Sequence, residues 1–79
     1  MTNRDTWQGA SWLIRRYHDR LTAASPFVDL GPYRRVLSMF AAMVADLSAP
    51  SHIVELLSRL EYAVREREAV QARALAVRQ

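Results

Sequence analysis

Three prolines, Pro26, Pro32 and Pro50, partition a chain of 79 residues into three stretches that can each sustain an unbroken helix. Proline removes an intrahelical hydrogen bond and clashes with the preceding turn, so helices stop before it or begin with it. Ser25-Pro26 closes the first stretch and Gly31-Pro32 opens the second. Ser48-Ala49-Pro50-Ser51 sets off the third, which has neither Gly nor Pro from His52 onward. The spacing predicts helices over about 6–24, 32–47 and 51–77, hence an all-α three-helix bundle with a long C-terminal third helix.

Hydrophobic periodicity supports each helix. Asp5 is a candidate N-cap, with Gln8 three residues later in the manner of a capping box. Ala10, Leu13, Ile14, Tyr17, Leu21 and Ala24 then fall on one stripe, with Trp7 at its edge. In the second helix Tyr33, Val36, Leu37, Phe40, Met43, Val44 and Leu47 line one face, and Met39 widens it. As the most apolar of the three, this helix is expected at the centre. The third, capped by Ser48 or Ser51, is amphipathic through Ile53, Leu56, Leu57, Leu60 and Val64. Beyond that point Arg67 and Gln71 occupy the positions that would continue the stripe, and Val70, Leu75 and Val77 are sparse among alanine and charge. At 1.5 Å per residue the helices would span about 30, 23 and 40 Å, so a bundle covers roughly the first two-thirds of the third. Its last turns project into solvent, pair with a copy of themselves, or lie on a partner.

Composition bounds the function. At 51% hydrophobic with two glycines, the chain reads as one folded domain over 1–79 and not as a disordered tail. With no cysteine, disulfides, zinc fingers, iron–sulfur ligation and cysteine nucleophiles are excluded together. The longest apolar run, Met39 to Ala45, is seven residues, where a membrane span needs about 20. The first residues are polar and lead into no signal-peptide core, so a cytoplasmic protein without a membrane span is expected.

All 11 basic residues are arginine. The lack of lysine reads first as a high-GC coding bias of the kind found in some bacteria and their phages. The distribution is uneven: residues 1–35 hold six arginines against three aspartates, and the rest hold five against five acids. Arg15, Arg16, Arg20, Arg34 and Arg35 are the one basic concentration, suited to phosphates or to an acidic protein surface. A helix-turn-helix with the third helix in the major groove is disfavoured, because that helix faces outward with Glu55, Arg59, Tyr62 and Glu66.

Trp12 falls opposite the core stripe, among Gln8, Arg15, Arg16 and Asp19. An exposed tryptophan beside arginine is the signature of a binding hot spot. The alternatives are that Trp12 packs under the Ser25–Gly31 connection against Phe27, or stacks on Arg16 one turn away. Catalytic constellations are absent from the sequence. His18 and His52 are too far apart for a local metal motif, Ser51 and His52 are neighbours that cannot face one another, and Gly9 and Gly31 form no phosphate loop. Trp7-Gln8-Gly9 with Tyr62 and Glu66 superficially resembles the WxG and YxxxE signatures of small secreted helical-hairpin proteins. There the tripeptide sits between two long helices, and here it opens the first, so the match is set aside. The architecture also resembles that of the helical chorismate mutases, whose active-site lysine has no counterpart here.

The expectation is a non-enzymatic binding module without a cofactor, an adaptor, co-chaperone or inhibitor of a larger bacterial protein. Trp12, Arg16 and Arg20 on the first helix and Val70, Leu75 and Val77 on the third are its candidate contacts, with a homodimer through the third helix also in view. The alternative is a nucleic-acid-associated transcriptional regulator using Arg15, Arg16, Arg20, Arg34 and Arg35.

Overall fold

The structure, a computed structural model, describes residues 3–78, apart from the side chains of residues 3–6, Leu47 and Arg78. It is an all-α three-helix bundle: α1 (Asn3–Ala23), α2 (Gly31–Leu47) and α3 (Ser51–Arg78), the last the longest. α1 is helical from Asn3, so Asp5 lies inside the helix and not at its N-cap. Nothing in Asn3-Arg4-Asp5 breaks a helix, and each residue added to an existing helix gains a hydrogen bond. The Asp5 side chain, like that of Leu47 on the α2 stripe, lies outside the described residues.

The apolar stripes meet in one core. Ile14 and Leu21 of α1 and Ile53 and Leu60 of α3 are fully buried, and Trp7, Ala10, Leu30, Tyr33, Val36, Phe40 and Val64 complete it. Each large aliphatic side chain removed from water in this way contributes about 1.5–3 kcal/mol. Tyr17 meets Tyr33 edge-on, with ring centroids 5.8 Å apart and planes at 89°, the geometry that sets a positive ring edge against a negative face.

α1 runs parallel to α3. Trp7 and Gln8 lie beside Pro50 and His52, Ile14 and His18 beside Leu56 and Arg59, and the end of α1 beside Arg67. α2 is antiparallel to both, with Arg34 at the level of Glu68. The central helix is α3, which packs against both neighbours while α1 and α2 touch little. The expectation that α2 is central is thus corrected. Part of its apolar surface is not used in the core: all three of its alanines, Ala41, Ala42 and Ala45, are exposed, and so is Met39. α3 is long enough to offer a face to each neighbour along its whole length. The resulting body measures 53 × 22 × 17 Å, with a radius of gyration of 14.3 Å, where a compact chain of this size would have about 12 Å.

The helix ends follow local chemistry. Asp29 Oδ1 accepts a hydrogen bond from the Gly31 N–H at 3.0 Å, an aspartate placed where the α2 dipole favours it. Ser48 ends α2 in the left-handed region at φ 52°, ψ 68°. The candidates for the α3 cap are therefore corrected: Ser48 belongs to the end of α2, and Ser51 is already helical. Pro50 takes the cap position, its carbonyl accepting from the N–H of Val54 at 3.3 Å. A proline there has no N–H to satisfy. No helix among the described residues is long and apolar enough to cross a membrane.

Candidate functional site

Arg67 and Gln71 hold the α1–α2 connection. Arg67 Nη1 donates to the carbonyls of Ala24 and Ser25 at 3.1 and 2.9 Å, and Nη2 reaches that of Thr22 at 3.4 Å. Thr22 lies in the last turn of α1 and Ala24 and Ser25 directly follow it, at the negative end of the helix dipole; of the three carbonyls, that of Ser25 also accepts from the Val28 N–H at 3.1 Å. A half-buried guanidinium from another helix therefore caps α1. One turn on, Gln71 Nε2 donates to the carbonyls of Pro26 and Val28 at 3.0 and 2.9 Å. The polar residues that interrupt the α3 stripe thus mark where the bundle packs on loop backbone, and α3 remains in the bundle one turn further than its apolar pattern suggests. Val70 is accordingly half-buried.

What projects beyond is short. Leu75 is exposed and Val77 is 86% exposed. Phe27, from the connection, is also exposed and lines an open groove of about 420 Å3 with Gln71, Ala74 and Leu75. Phe27 therefore faces the end of α3, far from Trp12, and the reading that packs these two together is corrected. Trp12 sits at mid-helix, where the connection does not reach. Phe27 was not among the candidate contacts. Its signal in the sequence is an aromatic residue in a loop that both prolines keep at the surface.

Trp12 is 61% exposed, and the Arg16 guanidinium lies over its ring, 5.3 Å from the centroid. The two outcomes set against each other in the sequence, an open tryptophan and one stacked on Arg16, thus coexist. Arg20, one turn further, lies 5.6 Å above the ring of Tyr17. Trp12, Arg16 and Arg20 share a shallow groove of about 550 Å3 with Arg15, Asp19 and Ala23.

The five-arginine patch divides. Arg34 Nε donates to Glu68 Oε2 at 2.6 Å and forms an ion pair with it across the α2–α3 groove. Its charge is compensated there, and the groove it lines is separate from that of Arg15, Arg16 and Arg20. Arg35 is exposed at the start of α2, near Asp29. On α3, Arg59–Glu55 at 3.0 Å and Arg65–Glu61 at 2.8 Å pair along the helix surface. Among the described residues no three His, Asp or Glu side chains converge as metal ligands would. Compared with known proteins, the chain matches no family model, no curated protein and no solved structure.

Proposed function

We propose that this protein works by binding a larger protein, as an adaptor, co-chaperone or inhibitor, through the outward face of α1. The observation that carries the reading is Trp12, 61% exposed with Arg16 laid across it and Arg20 on the next turn. A tryptophan offers about 150–250 Å2 of contact area, so covering the open part of this one would contribute roughly 2–4 kcal/mol. Tryptophan and arginine together are the residue types that dominate binding energy in interfaces. The open turns at the end of α3, with Leu75 and Val77, offer a second contact surface to the same partner or to a second copy.

A photo-crosslinking amino acid placed at exposed Ala23, in the same groove as Trp12, in the cells that make the protein tests the reading with Trp12 intact. A discrete protein adduct from position 23, with none from exposed Ala42 on α2, is the expected result. Trp12→Ala should weaken binding of that adduct's partner at least about tenfold. Adducts to nucleic acid would favour the regulator reading based on Arg15, Arg16 and Arg20, and no adduct at all would overturn both.

A further inference from the structure

We infer that the partner presents an acidic helix to α1, with carboxylates one turn apart meeting Arg16 and Arg20 and an apolar side chain covering Trp12. This rests on the protein-binding reading and supplies its chemistry.

Spacing comes first. Trp12, Arg16 and Arg20 stand at i, i+4 and i+8, a single row with about 6 Å between steps. Carboxylates at i and i+4 on a second helix have the same repeat, so two such rows can lie alongside one another in register.

Charge comes second. Glu55, Glu61 and Glu68 are each within ion-pair distance of an arginine of α2 or α3. Among the described residues, Arg15, Arg16 and Arg20 have no carboxylate within 4.0 Å, although all three sit in one groove. Arg35, Arg67 and Arg73 likewise have no carboxylate within that distance among the described residues, but Arg15, Arg16 and Arg20 share one groove, so beside the exposed tryptophan three such charges face a single Asp19.

The guanidiniums are also held in place. Arg16 rests on Trp12, and Arg20 rests on Tyr17, itself fixed against buried Tyr33. A planar fork already lying on a ring loses less freedom when it takes a carboxylate, which favours binding. Asp19 lines the same groove on the neighbouring row with Arg15. It opposes every anion there, a phosphate backbone with about one charge per 1.7 Å of duplex more than two carboxylates spaced a turn apart on the Arg16–Arg20 row. Arg34, tied to Glu68, cannot extend the row. The arrangement favours an acidic protein segment over nucleic acid.

The probe is an alanine-rich synthetic helix carrying one leucine followed by glutamates four and eight residues on, titrated into the isotope-labelled full chain and followed by NMR. Its controls are a twin with lysines in place of both glutamates and a short DNA duplex. The glutamate peptide is expected to shift the Trp12 indole N–H and the amides around Arg16 and Arg20, with an affinity at least millimolar that falls at least about threefold between low and physiological salt. Arg16→Glu/Arg20→Glu should weaken that peptide about tenfold or more and make the lysine twin bind, a gain that an unfolded variant would not show. Asp19→Asn should tighten the glutamate peptide about twofold. No shift at several-millimolar glutamate peptide, equal binding of the lysine twin, or tighter binding of the duplex would each overturn the inference. With a protein adduct still formed from position 23, any of these removes the acidic partner and leaves protein binding in place; with no adduct, both fall.

Discussion

Replacing Arg67 by methionine keeps a long aliphatic stem and deletes the guanidinium that caps α1 from α3. The Ala24 carbonyl loses a donor at 3.1 Å, the Ser25 carbonyl loses one at 2.9 Å but keeps the Val28 N–H at 3.1 Å, and the longer contact to Thr22 goes with them. A hydrogen bond from a charged donor contributes about 1.5–3 kcal/mol, and a cation at a helix C-terminus about 0.3–1 kcal/mol. Only the bond to Ala24 is partly buried; water can replace the exposed ones, so their share is discounted. A loss of about 2 kcal/mol remains. A chain of this length has a total stability of about 4–12 kcal/mol, so the loss is a large fraction of it. In urea unfolding at a slope of about 1 kcal/mol/M it moves the midpoint down by about 2 M, and in thermal unfolding it lowers Tm by about 8–16 °C. Arg67→Lys retains the charge but not the fork that spans two carbonyls, and should lose about half as much. An Arg67→Met protein within about 0.5 kcal/mol of the parent would refute the cap, because it would mean that water satisfies those carbonyls equally well.

Other positions give sharp expectations. Gly9 lies within α1 with nothing within 4 Å of the place a Cβ would take, so Gly9→Ala should raise stability by about 0.5–1 kcal/mol in the same urea assay. Ser48, at φ 52°, occupies a conformation that glycine adopts without strain, and Ser48→Gly should raise Tm by a few degrees, corresponding to about 0.5–1 kcal/mol. Ile14→Ala, at a fully buried site, should cost about 2–5 kcal/mol, whereas Val77→Ala, at an open one, should stay within about 0.5 kcal/mol. Gln71→Leu removes the donor that meets the half-buried Val28 carbonyl and should cost about 1–2 kcal/mol, read by denaturation.

The helices and most of the core were legible because local rules govern them. Prolines and periodicity suffice for three amphipathic helices, and Ile14, Leu21, Phe40, Ile53 and Leu60 are buried where the stripes place them. Contacts between distant residues were not legible. Arg67 and Gln71 look like the end of an apolar face until the connection is seen lying across them. A weak signal did exist: α1 ends without a glycine cap, which leaves carbonyls there open to a donor from water or from another helix. Likewise nothing in the pattern around Arg34 announces Glu68, thirty-four residues away. Trp12 was legible because a lone aromatic residue on a charged helix face has no core to enter. Its lying under Arg16 follows from their one-turn separation.

The functional reading stands on Trp12 being open in the free protein, and the two tryptophans make that directly measurable. Trp7 is 5% exposed and Trp12 61%. Iodide, an anion drawn to the arginines beside Trp12, should quench one component of the fluorescence strongly and leave the other protected. Trp12→Phe should abolish the quenchable component, and dilution over about a hundredfold should leave the quenching unchanged. If both tryptophans are protected at high concentration, or if quenching survives in Trp12→Phe, the α1 face is covered or the exposed indole is Trp7, and the account is contradicted.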